Sequence, residues 1–176
     1  YDKARYNLEQ MIEKGILKED SRPNLYIYRQ IMQGRSQTGI VACASIDDYL
    51  NNIIKKHEHT RKDKEQDRTR HVDYCNAQTG PIFLTYRAQT EITQIVNFWT
   101  AKPPLYDIIS EDGVAHIIWC IDDDAAINKL QSLFAGIDYL YIADGHHRCA
   151  SAVNVGQMRR QQNPDYSGNE EYNYFL

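Results

Sequence analysis

The segment "ADGHHR" at residues 143–148 places an acid, a glycine, two histidines and an arginine between an apolar stretch and a helical pattern. The preceding "DYLYI" has the composition of a core strand, and the following "CASAVNVGQM" has small apolar residues at helical spacing. Because Gly145 permits a sharp turn, the free N–H groups of the next residues would point out of a helix N-terminus, where the helix dipole favours an anion. The pattern predicts a phosphate-binding or nucleotide-binding turn formed by Gly145, His146, His147 and Arg148, the last with bidentate geometry.

Asp144 stands beside this predicted anion site and carries the opposite charge to the one the site needs. A carboxylate next to a phosphate is repelled unless it binds Mg²⁺, accepts a substrate proton or pairs with a histidine. We therefore predict Asp144 to be a metal ligand or a catalytic group. The alternative is that Asp144 only caps the helix and that the two histidines are solvated.

A second polar segment, "KKHEHTRKDKEQDRTRH" at residues 55–71, has seven Lys and Arg against four Asp and Glu in a chain whose net charge is −4. Thr60 followed by Asp63 resembles a capping box, which predicts a helix beginning near Arg61 after an extended stretch. Helical spacing then gives a basic stripe of Arg61, Lys64, Arg68 and His71. The alternative is a solvated helix held by charge pairs such as Arg61 with Glu65.

Glu58 lies between two histidines just before that helix. A carboxylate there is a candidate for orienting or deprotonating a hydroxyl, and His57 is a candidate phosphate ligand. His57 and His59 can also share one side of an extended strand as zinc ligands, although no third soft ligand lies nearby in the sequence.

The elements that must position these segments alternate between strands and helices. They predict one mixed α/β (α+β) domain over residues 1–176, without repeats or linkers, and a chain that is a fragment of a longer protein truncated at both ends. In chain order the pattern predicts a helix in "YDKARYNLEQMIEKGIL", a hairpin of "NLYIYRQIM" and "TGIVACASI", a short helix in "SIDDYLNNII" capped by Ser45 or Asp47, a buried strand "PIFLTYRA", a helix in "TEITQIVNFWTA", a hairpin of "LYDIIS" and "VAHIIWCI", a helix in "DDDAAINKLQSLFAGI", the turn region, and a partial strand in "EEYNYFL".

Composition excludes several classes of protein. A net charge of −4 disfavours a general nucleic-acid partner. The four cysteines are widely separated, which predicts neither a disulfide framework nor a zinc ribbon and fits a cytoplasmic location. No stretch reaches the roughly 20 apolar residues of a membrane helix, so no membrane partner is expected.

Three stretches closely resemble the bacterial family catalogued as domain of unknown function 1015. They are "IIKKHEHTRKDKEQDRTRHVDYCNAQTGPIFLTY", "LYIADGHHR" and "EEYNYFL". The D-G-H-H-R turn also resembles the turn of the ParB/sulfiredoxin-like superfamily, in which such a turn at a helix N-terminus binds nucleotide phosphates. The same motif occurs there in free serine kinases, which phosphorylate L-serine to O-phosphoserine. The sequence departs from ParB itself, whose turn has Glu and two Arg, and it lacks the helix-turn-helix region, which disfavours a role in DNA partition.

The resemblance implies a ParB/sulfiredoxin-like fold, ATP or ADP with Mg²⁺ as cofactors, and a phosphotransferase whose small hydroxyl substrate is L-serine in the first instance. It gives residues 144–148 the place of the phosphate-binding turn and Glu58 the place of the kinases' catalytic carboxylate. Two rivals remain open at this point. One is a nucleotide-binding regulatory module without catalysis, and the other is a metal-dependent phosphohydrolase built on the histidines.

Overall fold

A computed structural model describes the whole chain, residues 1–176, as a mixed α/β protein. The elements in order are α1 (Asp2–Glu13), β1 (Leu25–Met32), β2 (Arg35–Val41), β3 (Ala44–Ser45), α2 (Ile46–Leu50), β4 (Ile54–Lys55), α3 (Lys62–Cys75), β5 (Phe83–Thr85), α4 (Thr90–Thr100), β6 (Tyr106–Ile109), β7 (Ala115–Ile121), α5 (Asp124–Ala135), β8 (Leu140–Asp144), α6 (His146–Gln162), a 3-10 turn (Glu171–Asn173) and β9 (Tyr174–Phe175). The predicted alternation of helices and strands, and thus the mixed α/β class, is confirmed.

The chain forms two compact units. Unit 1 contains Tyr1–Glu19, Cys43–Tyr86 and Asp138–Leu176, and unit 2 contains Asp20–Ala42 and Arg87–Ile137. The sequence pattern does not indicate this division, and a single domain over residues 1–176 stays a prediction.

Unit 2 is built on an antiparallel sheet with the strand order β2-β1-β7-β6. Both predicted hairpins are present. The first turns at Gln33 and Gly34, which both have positive φ, and its second strand covers Arg35–Val41 rather than the predicted residues 38–46. Strand β1 pairs with β7 so that Ile27 lies opposite Trp119, and both side chains are buried. Helices α4 and α5 contribute Ile92, Trp99 and Leu130 to the buried residues of this unit.

Unit 1 contains a smaller sheet with the order β4-β8-β5, in which β8 is central, parallel to β4 and antiparallel to β5. Its buried core joins α2, β4, β8, α6 and β9 through Ile46, Ile54, Ile142, Cys149, Ala152, Val153 and Phe175. Ser45 caps α2 by accepting a hydrogen bond from the backbone of Asp47, as predicted. This core fixes the position of β8 and α6, and therefore of the turn between them.

Two strand predictions need correction. The stretch "PIFLTYRA" was expected to be a buried strand, but only Phe83–Thr85 is strand, at the edge of its sheet, and Phe83 is 45% exposed. Only one face of this strand is covered, since Leu84 packs against the core while Phe83 and Thr85 point away from it and are exposed. At the other end of the chain, "EEYNYFL" forms a 3-10 turn and a two-residue strand paired with β3.

None of the helices is both long and apolar enough to span a membrane. All four cysteines are free thiols, which agrees with the absence of a predicted disulfide framework. Burial raises the pKa of the Cys149 thiol to about 12. Because the thiolate is the reactive form, this buried thiol is inert.

Candidate functional site

The turn between β8 and α6 has the backbone geometry that the sequence predicted. Strand β8 ends at Asp144, Gly145 has a φ of +95°, and α6 begins at His146. The helix has no side-chain cap, and its first backbone hydrogen bond is donated by the N–H of Cys149 to the carbonyl of Gly145, at 2.9 Å. The preceding N–H groups, those of residues 146–148, therefore keep their donor capacity beside the positive end of the helix dipole.

Arg148 folds back over the turn. Its Nη2 donates to Asp144 Oδ2 at 2.6 Å, while its Nε is buried without a partner. A Cβ added at Gly145 would lie 3.0 Å from Arg148 Nη2, and the positive φ of Gly145 would strain any other side chain. The positive φ therefore favours glycine at this turn, and any other side chain would also displace the guanidinium by a few tenths of an ångström.

Asp144 does not cap α6, because Gly145 is the N-cap residue. The alternative of a capping aspartate is therefore wrong. Its carboxylate is exposed and takes Arg148 as its partner, a pairing that the sequence analysis did not foresee. The roles of Asp144 as metal ligand or catalytic group stay predictions.

His146 is buried, only 6% exposed, so the alternative of a solvated histidine is wrong for this residue. Its Nδ1 lies 3.9 Å from Glu58 Oε2, and its Nε2 is buried without a hydrogen-bond partner. The ring of His57 meets it edge-on with 4.4 Å between ring centroids. Burial lowers the pKa of His146, and the neighbouring His57 lowers it further, while Glu58 opposes the shift. The neutral imidazole is therefore favoured at this position.

One candidate ligand atom from each of His57, Glu58 and His146 lies within 4.8 Å of the others. The sequence pointed to His57 and His59 as a pair without a third ligand. The structure supplies that third group from α6, far along the chain, and leaves His59 outside the cluster. Sequence spacing alone could not show that His146 is the third group, because its proximity to His57 and Glu58 depends on how the 55–61 segment packs against α6.

His147 connects the two predicted segments by a different contact. Its Nε2 accepts a hydrogen bond at 3.1 Å from the backbone N–H of Arg61, which is the N-cap residue of α3. The predicted start of α3 near Arg61 is confirmed to within one residue. The side chain of Arg61 pairs with Asp63, so the charge pair with Glu65 that the alternative of a solvated helix offered does not form. This imidazole therefore holds the start of α3 against the start of α6.

Glu65 is a buttress of the site that the sequence analysis missed. Its Oε2 accepts from Thr60 at 2.5 Å and its Oε1 accepts from Asn154 at 2.7 Å. Ser151 Oγ lies 3.2 Å from the backbone carbonyl of Glu65. These bonds join α3 to α6 just behind the segment that carries Glu58. The available signal was the presence of two polar residues, Ser151 and Asn154, within the otherwise apolar run that forms the buried face of α6.

Replacing Glu65 by Gln is expected to lower the free energy of unfolding by on the order of 1 kcal/mol at neutral pH, since hydrogen bonds to a charged acceptor are lost. The Thr60 and Asn154 donors hold the pKa of Glu65 below its usual range. Such a carboxylate stabilises the fold fully above its unfolded pKa, and this contribution disappears as the pH falls through the folded pKa. The difference between wild type and Glu65→Gln should therefore narrow below about pH 4.5 in urea titrations at a series of pH values.

Glu19→Gln is the matched control, because Glu19 is exposed and makes no hydrogen bond or ion pair. It is expected to change the stability by less than about 0.5 kcal/mol at any pH. A Glu65→Gln variant whose deficit stays constant down to acid pH would contradict the charge-dependent buttress.

The rest of the predicted basic stripe lies along α3. Lys64 and Arg68 are exposed and form no ion pair, so both charges are available to a ligand. No hydrogen bond joins either side chain to the turn. His71 is half-buried, with its Nε2 4.0 Å from Cys75 Sγ, and so does not extend the exposed stripe.

Two cavities lie away from this site. One, of about 550 Å³, is in unit 2 between α4 and α5, and the other, of about 310 Å³, is in unit 1 beside the 3-10 turn and β9. Neither is lined by the turn or by residues 55–61. The cluster is instead partly open, with the side chains of Glu58 and Asp144 more than half exposed at 55% and 72%.

The comparisons with known proteins bear on the chain as a whole. A family model described as "Protein of unknown function (DUF1015)" matches residues 1–176. No curated protein and no solved structure matches the chain. The matched range includes the turn, α3 and α6. The chain therefore belongs to the DUF1015 family over its full length.

Proposed function

We propose that the protein is a nucleotide-dependent phosphotransferase that acts on a small hydroxyl substrate. The observation that carries the proposal is the contact between two segments that are each half of such a site. Glu58 Oε2 lies 3.9 Å from Nδ1 of His146, the first residue of α6. The first three backbone N–H groups of this helix donate no hydrogen bond within the protein. Phosphoryl transfer mainly requires that the reactants be positioned and that developing negative charge be stabilised.

In this proposal the phosphates of ATP or ADP bind the N–H groups of residues 146–148. Arg148, Lys64 and Arg68 add positive charge, and the exposed oxygen of Asp144 that Arg148 leaves free holds Mg²⁺. His147 fixes the start of α3 rather than binding phosphate through its ring, because its Nε2 already accepts from Arg61. The expected role of His147 is therefore limited to its backbone N–H.

The acceptor hydroxyl loses its proton to Glu58 as its oxygen forms a bond to the terminal phosphorus of the nucleotide. The bond between that phosphorus and the bridging oxygen breaks, which gives ADP from ATP, or AMP from ADP, together with the phosphorylated acceptor. Glu58 suits this role because its carboxylate is half-exposed and accepts no hydrogen bond in the structure. L-serine is the first acceptor to test. We also propose a ParB/sulfiredoxin-type fold for unit 1, supported by a D-G-H-H-R turn that joins a central strand to its most buried helix.

The test is to incubate the purified protein with Mg²⁺, ATP or ADP, and a panel of hydroxyl metabolites that includes L-serine. Phosphorus NMR then follows the phosphorylated acceptor and free phosphate separately. L-alanine is the matched control for L-serine, since it lacks only the hydroxyl. The proposal expects a phosphate ester that depends on the acceptor. Release of free phosphate alone would instead indicate a phosphohydrolase, and nucleotide binding without turnover would indicate a regulatory module.

A further inference from the structure

We propose that His57, Glu58 and His146 bind one divalent transition-metal ion of the Zn²⁺ or Fe²⁺ class, in addition to any Mg²⁺ that accompanies the nucleotide. Candidate ligand atoms from the three side chains lie within 4.8 Å of one another. Two imidazoles and one carboxylate suit first-row transition metals, whereas Mg²⁺ prefers oxygen ligands alone. The same ligand set occurs in catalytic zinc sites that keep an open position.

The geometry needs little adjustment to close on an ion. Ligand atoms at about 2.1 Å from a tetrahedral ion stand roughly 3.4 Å from one another. His146 Nδ1 and Glu58 Oε2 are already 3.9 Å apart, which is too long for a good hydrogen bond and close to a ligand–ligand distance. The ring of His57 is in edge contact with that of His146. The remaining approach, from within 4.8 Å to that spacing, falls to the side chains of His57 and Glu58, which are exposed and can rotate.

The three ligands differ in how firmly the fold holds them. His146 is fixed, because it is buried at the first position of α6. His57 and Glu58 belong to the irregular segment between β4 and α3, and that segment is held at its far end by the contacts of Thr60 with Glu65 and of Arg61 with His147. One rigid ligand and two adjustable ones can capture an ion without rearrangement of the core.

The hydrogen bonding of His146 is a second, independent observation. A buried imidazole normally uses both ring nitrogens, yet Nε2 has no partner here and Nδ1 has none within 3.5 Å. A metal on Nε2 would satisfy that atom directly, whereas a metal on Nδ1, the nitrogen that faces Glu58, would give the ring one strong partner and leave Nε2 unchanged. Two neutral imidazoles and one carboxylate leave a divalent ion with a net charge of +1, so an anionic oxygen is favoured in the open position. The neighbouring N–H groups of α6 favour the same anion, which makes a phosphate-bearing ligand the natural occupant.

The proposed metal site overlaps the proposed catalytic site. Binding of the ion does not depend on the proposed function, but a catalytic role for the ion does. One oxygen of Glu58 can bind the metal while the other faces the acceptor hydroxyl. The metal can also polarise a hydroxyl or phosphate oxygen in its open position. Metal binding without nucleotide is therefore a separate measurement, and either proposal can fail while the other survives.

The experiment titrates chelator-treated protein with Zn²⁺ by calorimetry in the absence of nucleotide and phosphate. We expect one ion per chain and no loss of that binding in millimolar Mg²⁺. His57→Ala and Glu58→Gln each change an exposed residue and are expected to weaken Zn²⁺ binding about 10-fold to 100-fold. Circular dichroism verifies that both variants are folded. The visible spectrum of the Co²⁺ form should show the intense absorption of a low-coordinate ion in wild type and lose it in both variants.

His59→Ala is the matched control, since His59 lies in the same segment but outside the cluster. It should bind Zn²⁺ like wild type. Absence of stoichiometric Zn²⁺ binding by the wild-type protein would overturn the proposal. So would unchanged affinity in His57→Ala, or an equal loss of affinity in His59→Ala, which would place the ion on residues 57–59 without His146.

Discussion

Glu58→Gln is expected to bind nucleotide about as well as wild type and to phosphorylate its acceptor roughly 10²-fold to 10⁴-fold more slowly. This range is the usual contribution of a general base. The substitution keeps the shape and much of the hydrogen bonding of Glu58 but removes the negative charge that would orient or deprotonate the hydroxyl. Initial rates under saturating nucleotide and acceptor, with nucleotide affinity from calorimetry, separate the chemical step from binding.

Two variants control this result. His59→Gln changes the residue next to Glu58, which lies outside the cluster, and this variant should keep the wild-type rate. Asp144→Asn removes the competing carboxylate, and if Asp144 holds Mg²⁺ it should weaken Mg²⁺-dependent nucleotide binding as well as turnover. Every variant is treated with a chelator and then assayed in two conditions, with Mg²⁺ alone and with Mg²⁺ plus Zn²⁺. A loss of rate in both conditions indicates a base, and a loss only with Zn²⁺ indicates a zinc ligand. A Glu58→Gln enzyme with near wild-type turnover in both conditions would move the base to Asp144.

The parts of the fold that could be predicted are those in which local chemistry decides the structure. The segment around Gly34 is typical of a turn between two strands and indicated the first hairpin, although the turn is shorter than predicted and consists of Gln33 and Gly34. Ser45 caps α2 because its hydroxyl reaches a free N–H, which needs no tertiary contact. Gly145 similarly marks the end of β8 and the start of α6. In each case a short sequence limits the backbone to few conformations.

The parts of the site that could not be predicted depend on the packing of α3 against α6. Residue types alone gave the two segments and their chemistry, but not which side chains meet. The sequence left the partner of Asp144 open between Mg²⁺, a substrate proton and a histidine, and in the structure its carboxylate pairs with Arg148. The sequence assigned Glu65 no role except as a surface partner of Arg61 in the alternative of a solvated helix, and it lies instead against Asn154 of α6. His146 becomes a candidate metal ligand only because His57 and Glu58 are brought to it by the fold.

Burial of the "PIFLTYRA" stretch was predicted wrongly for a related reason. Its apolar composition is compatible with either a central or an edge strand, and sheet order decides between them. β8 takes the central position between β4 and β5, which leaves Phe83 at the edge and 45% exposed. Periodicity within one segment does not encode this order, because the order depends on which distant strands pair with each other.

The packing that positions α6, and with it the site, depends on Gly156. A Cβ at this position would lie 2.5 Å from the backbone carbonyl oxygen of Tyr172 and 2.6 Å from Ile46 Cδ1. The glycine therefore lets the 3-10 turn and α2 approach the helix more closely than any side chain would allow. Adding a methyl group must move backbone atoms, because the carbonyl belongs to no flexible side chain.

Gly156→Ala is accordingly expected to lower the free energy of unfolding by about 1–3 kcal/mol, the usual cost of overpacking. In an open helix the same change would raise stability by roughly 1 kcal/mol through helix propensity, so the steric effect reverses the normal sign. Urea denaturation followed by far-ultraviolet circular dichroism measures the difference. Gln157→Ala, one residue further along α6 and exposed, is the matched control and should change stability by less than about 0.5 kcal/mol. A Gly156→Ala protein as stable as wild type would mean that Tyr172 moves away without cost, and that α6 is not held in place by this contact.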